Sequence, residues 1–152
     1  MEPTALKRAV LKAARTQLAD IAAELKDRVA DLRTVTVGDD DHETASQTES
    51  TRGGDVDLMN ALSEQVEHVQ QDLERIDALD PTVSCDSVQF GAVVHTDQRN
   101  FLIAASLEEF DAGGLRYLGV TPKAPVIQAL LGKRVGEHAT INGVAYHILA
   151  IH

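Results

Sequence analysis

The chain has 152 residues, with 24 Asp and Glu against 14 Lys and Arg and a formal net charge of −10. That balance argues against a direct grip on a phosphate backbone, which needs Lys and Arg, and favours a basic protein surface or a metal ion as partner. A single cysteine, Cys85, rules out an internal disulfide and fits a reducing compartment, and no run of about 18 apolar residues is present to span a bilayer as a helix.

The charge is uneven. Residues 1–80 hold 18 acids and 9 basic side chains, whereas residues 81–152 hold 6 and 5. The spacing of apolar residues changes at the same place, which predicts a helical half over 1–80 and a sheet-forming half over 81–152. The first residues lack a basic segment followed by an apolar run, so a cytoplasmic protein without a signal peptide is expected.

Residues 4–36 read as one long helix of about 50 Å. Leu11, Leu18, Leu25 and Leu32 recur every seventh residue, with Ala14 and Ile21 in the intervening positions, and together they define a narrow apolar seam. Arg28 interrupts the second series, with Val29 beside it, and Pro3 suits the first turn, where its missing N–H has no partner to lose. Residues 38–57, GDDDHETASQTESTRGGDVD, are acidic and almost free of large apolar side chains, so they are expected to form the loop at the tip of a hairpin. A second helix is expected over 56–79, with Asp55 as its N-cap, a turn at Gly53-Gly54, a stripe of Leu62, Val66, Val69, Leu73 and Ile76, and Asp80-Pro81 as its stop. Neither stripe can bury itself alone, so the two helices are expected to zip together as an antiparallel coiled coil, in a chain that stays monomeric.

From Thr82 onward the period falls to two. Strands are expected over 87–95, 100–105, 115–120, 139–141 and 144–151, and a short helix over 125–131 closed by Gly132, Lys133 and Arg134. Asn142-Gly143 between two apolar runs predicts a type I′ hairpin turn. The fold class is therefore α+β: a helical hairpin followed by a small antiparallel sheet with one helix laid across it.

Two segments carry a resemblance. Ala124 to Glu137, APVIQALLGKRVGE, resembles the Ser-Pro-Ile-x-x-x-Leu-Leu-Gly-Lys-x-Val-Gly-Asp signature of the Gre transcript-cleavage factor family, and Gln89 to Val93 resembles its Phe-Gly-Ala-x-Val. The resemblance covers the C-terminal half in sequence and the N-terminal half in layout, and it points to a shorter, divergent member. It implies an FKBP-like C-terminal domain that docks at the rim of the secondary channel of bacterial RNA polymerase. It further implies a coiled coil that enters the channel and brings tip carboxylates to the second magnesium ion of the polymerase. Cleavage of a phosphodiester by two metals needs both ions held about 4 Å apart, and a lent carboxylate can hold the weaker one. On that reading the protein is no enzyme by itself, binds no cofactor alone, and modulates cleavage of backtracked RNA or pausing through the polymerase.

The family tip is Gly-Asp-x-x-Glu-Asn, and two placements are open. Gly54-Asp55 matches its start, with Leu58 where the Glu belongs and Asp57 one position short. Gly38-Asp39 also matches, with His42 at the Glu position and Glu43 one late, but that placement puts Gly53-Gly54 inside the second helix, where glycine is costly. The first is preferred. Candidate tip carboxylates are Asp55 and Asp57, with Asp39, Asp40 and Asp41 as a second cluster. First-turn acids also complement a helix dipole, and an acidic loop is also a solvated surface, so both sets have a structural explanation as well. Pro125, Lys133 and Arg134 are candidate polymerase contacts, although Pro125 suits a helix start, and Ala124 stands where the family has a hydrogen-bonding Ser. The competing class is an FKBP-like chaperone or prolyl isomerase on a coiled-coil stalk. Such a pocket needs aromatic walls, and only Phe90, Phe101, Phe110, Tyr117 and Tyr146 are available. Cys85 has no sequence neighbour that marks a nucleophile.

Overall fold

The computed structural model describes the backbone of residues 2–37 and 45–152, and the side chains of residues 2–33 and 56–152. The element order is α1 (Pro3–Val37), α2 (Ala45–Asp77), β1 (Val93–Thr96), β2 (Asn100–Ile103), β3 (Leu107–Ala112), β4 (Leu115–Val120), α3 (Pro125–Leu130), β5 (His138–Ile141) and β6 (Val144–Ile151). The α+β class is as expected, and no described helix is long and apolar enough to cross a membrane. The chain divides into two compact units, one of Met1–Leu18 with Asp72–His152 and one of Ala19–Gln71.

Within the first unit, α1 buries Val10, Leu11, Ala14 and Leu18, and α2 buries Ile76. Arg15 Nε sits 2.6 Å from Asp77 Oδ1, so the two helical segments lie side by side. Within the second unit, Ala22, Leu25 and Leu62 are buried, and Ile21 and Leu25 of α1 share a groove with Ala61, Gln65 and Val69 of α2. The seven-residue stripe of α1 is thus the buried one as far as Leu25, with Ala22 added to it. Leu58, one turn before Leu62 on α2, is 50% exposed.

The second helix departs from expectation at its start. It begins at Ala45 rather than at residue 56, so Gly53, Gly54 and Asp55 belong to its interior. Gly53-Gly54 is not a turn, and Asp55 is not an N-cap. Two glycines cost roughly 1 kcal/mol each relative to alanine, but a helix already nucleated gains a hydrogen bond for every residue it adds, and the ladder continues through them. The segment that joins the helices is therefore 38–44, GDDDHET, and not 38–57.

The six strands form one sheet in the order β3-β4-β2-β1-β6-β5. It is mixed rather than antiparallel, because β2 and β4 run parallel, with Phe101 opposite Leu118 and Leu102 opposite Gly119. The cause is β3, which sequence periodicity did not reveal. Its alternation is broken by Glu108-Glu109, where the register against β4 shifts between Leu107 and Phe110. The Gly113-Gly114 turn then folds β3 and β4 into a hairpin. Buried Tyr117, Gly119 and Val120 draw β4 inward against β2, and β3, with exposed Glu108, Glu109 and Asp111, takes the edge. Charged side chains on an edge strand also discourage pairing with another chain. The expected strand over 87–95 shrinks to β1, since Gly91 has φ 88 and turns the chain. Asn142 and Gly143 both have positive φ, 52 and 80, as the expected type I′ turn between β5 and β6 requires.

The core under the sheet gathers Val88, Ala92, Val94, Phe101, Ile103, Val120, Ile148 and Ile151, closed by Ile127 and Leu130 of α3. Cys85, free and buried, belongs to the same cluster.

Candidate functional site: the α3 turn and the helix connection

The two segments that carry the family resemblance meet in space. Val88 N–H donates to the Lys133 carbonyl at 2.8 Å, and Gly132 N–H donates back to the Val88 carbonyl at 2.9 Å. This pair of bonds stitches the chain just before Gln89-Phe90 to the exit of α3. Gly132 adopts φ 80 there, a conformation that favours glycine after a helix. Gly91 is fixed by two conditions: its φ of 88 and its packing, since an added Cβ would lie 2.8 Å from Leu79 Cδ2.

The signature over 124–137 divides its side chains between two jobs. Ile127 and Leu130 are fully buried, whereas Leu131 and Val135 are 45% and 55% exposed, and Phe90 across the stitch is 42% exposed. Phe90, Leu131 and Val135 are thus exposed apolar side chains within three residues of the bonded backbone pair Val88 and Gly132–Lys133. Pro125 occupies the first turn of α3 as expected and is exposed. Ala124, at the N-cap, makes no side-chain cap bond, so the helix lacks the hydroxyl that a Ser would supply. Lys133 is half-buried and Arg134 exposed, and the Arg134 N–H donates to Glu137 Oε1 at 3.2 Å. Sequence reasoning singled out Pro125, Lys133 and Arg134 here, placed Leu131 at the end of the short helix, weighed Phe90 only as a pocket aromatic, and did not offer Val135 as a contact. An apolar residue beyond the glycine that ends a helix was the available signal.

Of the tip candidates, Asp57 is exposed on α2. The backbone of Asp55 lies within α2, its side chain outside the described residues. Asp39, Asp40 and Asp41 also lie outside the described residues, in the segment that links the helices.

A polar cluster that the sequence did not predict lies in the sheet. His95 Nε2 and the Tyr117 hydroxyl share a hydrogen bond of 3.0 Å, and the His95 and His152 rings stand edge to face at 5.4 Å. Burial, and secondarily the neighbouring His152, lowers the pKa of His95; burial and then the Lys7 charge lower that of His152; and burial raises that of Tyr117. At neutral pH the trio is therefore uncharged. Beside it, a cavity of about 350 Å³ is lined by Arg99, Arg116, Glu109 and Tyr117. Its charges are paired, with Glu109 at 3.3 Å from Arg99 and 3.5 Å from Arg116.

Comparison with known proteins finds no matching family model and no matching curated relative. Among solved structures, GreA factor homolog 1 (Gfh1) of Thermus thermophilus overlaps 91% of this chain and 94% of its own, at 14% identity and a TM-score of 0.34. At that score the overlap does not establish a common fold.

Proposed function

We propose that this protein regulates transcript elongation by docking on bacterial RNA polymerase and presenting the connection between its two long helices to the secondary channel. The observation that carries the proposal is the stitching of Gln89–Val93 to Ala124–Glu137. Two stretches that resemble the Gre family, remote in sequence, are bonded to each other, and each carries exposed apolar side chains, Phe90 on one and Leu131 and Val135 on the other. A docking surface with an apolar centre and cations beside it, here Lys133 and Arg134, suits a protein partner better than a nucleic acid.

With α2 starting at Ala45, the acidic connection is GDDDHET, and the better match to the family tip is Gly38-Asp39. Asp39, Asp40 and Asp41 are then the carboxylates offered to the polymerase magnesium, while His42 stands where the family has a Glu. An imidazole cannot replace a carboxylate on a hard cation, which prefers oxygen. The protein therefore acts by engaging the magnesium through Asp39, Asp40 and Asp41 without the family's Glu, which opposes cleavage, and it has no catalysis of its own. The isomerase alternative is less well supported, since Phe101 and Phe110 are buried, Tyr117 is bonded to His95, and Phe90 faces solvent.

The test is co-sedimentation with core polymerase, followed by cleavage of a backtracked complex. Binding at micromolar concentration with slowed cleavage is expected. The Asp39→Asn, Asp40→Asn, Asp41→Asn triple variant should still bind but lose most of the effect. No binding at that concentration removes the proposal.

A further inference from the structure

The strongest unassigned feature is a buried cation beside a buried thiol. Lys7 is only 3% exposed, and Cys85 9%. Lys7 Nζ donates to the Val83 carbonyl at 2.7 Å and lies 3.8 Å from Cys85 Sγ, bringing together groups 78 residues apart in the chain. The backbone carbonyl holds the amine against the sulfur. A cavity of about 20 Å³ opens beside the pair, lined by Lys7, Val83, Ser84 and His152. A space of that size admits a single water-sized molecule.

We propose that Lys7 and Cys85 form an oxidative modification site, in which dioxygen joins Nζ to Sγ through one oxygen atom. The reaction balances as an ammonium, a thiol and dioxygen giving an N–O–S bridge, one water and one proton. An N–O and an S–O bond form, and the O–O bond, the S–H bond and two N–H bonds break. Four electrons pass to dioxygen, two from sulfur and two from nitrogen. One oxygen remains as the bridge and the other leaves as water. His152 lines the same cavity, and the released proton passes to solvent. The flexible four-carbon stem of Lys7 closes the remaining gap.

The geometry favours a link over ordinary overoxidation. A thiol alone proceeds to sulfinic and sulfonic acids, but here a nitrogen held at the sulfur intercepts it. The link would tie the first turns of α1 to the core cluster under the sheet, and reductant would release it.

The test uses the full chain, purified reduced and then held in air-saturated buffer. Intact mass is expected to rise by about 14 Da, one oxygen gained and two hydrogens lost, and to return to the starting value with a dithiol reductant. Peptide mapping should find the segment containing Lys7 joined to that containing Cys85. Lys7→Met, which keeps the stem and removes the amine, should lose the link. The wild-type result stands even where that variant folds poorly. A chain that stays unmodified overturns the proposal. So does a gain of about 32 Da confined to Cys85, a joined peptide about 2 Da light from a direct S–N bond, or equal linkage in the urea-unfolded chain.

Discussion

Gly119 has no room for a side chain. A Cβ built there would lie 2.6 Å from both the Ala105 carbonyl oxygen and Leu107 Cβ, neither of which can swing away. Gly119→Ala is expected to cost about 1–3 kcal/mol through overpacking, read as a lower urea midpoint at unchanged slope. Gly132 makes a useful contrast, since nothing lies within 4 Å of its Cβ position but its φ is 80. Gly132→Ala should cost about 1–2 kcal/mol through backbone strain alone. His95 and His152 set the pH response. Both titrate below the usual imidazole value in the folded chain, so as pH falls the unfolded chain takes up protons first. Stability is full above about pH 6.5 and declines as pH drops from there through the depressed folded values. Urea midpoints at about pH 7.5 and about pH 5.5 should show the loss, and His95→Gln should flatten it. The Lys7 position was legible in hindsight. It precedes Ala14 by one heptad in the same series as Ile21, so a lysine stood at a seam position. The sequence offered no partner for it, because Val83 and Cys85 meet it only through the fold.

At the scale of elements, α2 is where local signals misled. Gly-Gly followed by Asp reads as a turn and a cap, and the sequence has no means of weighing that against the continuing hydrogen-bond ladder from Ala45. The structure makes a direct prediction. Gly53→Ala and Gly54→Ala should each stabilise the chain by about 1 kcal/mol and raise its helical circular dichroism, whereas a turn there would make the same changes destabilising. The sheet shows the same limit. β6, the Asn142-Gly143 turn, α3 and α1 were all legible, since each has a strong period or a turn residue with one conformation. β3 was not, because Glu108-Glu109 broke its alternation, and the parallel pairing of β2 with β4 followed from that unseen strand.

For the molecule as a whole, the proposed function assigns the partner two different surfaces, one in the acidic residues 1–80 and one in the near-neutral remainder. Leu131 and Val135 belong to the proposed contact and contribute little to the core, being 45% and 55% exposed. The double variant Leu131→Asp, Val135→Asp should keep its melting temperature within a few degrees, because exposed substitutions are usually within about 0.5 kcal/mol. It should weaken binding to polymerase at least tenfold, or about 1.4 kcal/mol, in a titration. Unchanged affinity would move the contact elsewhere on the protein.

The amino-acid sequence alone determined the α+β class, the long apolar stripes, the α3 segment and the two turns built on Gly132 and Asn142-Gly143. All of these rest on interactions within about one helical turn or one hairpin, so neighbouring residues suffice to specify them. Only the tertiary structure decided where α2 begins, that β3 exists and takes the edge, that Val88 is bonded to the exit of α3 with Phe90, Leu131 and Val135 exposed, and that Lys7 points at Cys85. Those outcomes depend on contacts between residues remote in the chain, whose pairing is chosen by burial and hydrogen bonding across the whole fold and leaves no periodic trace in the sequence.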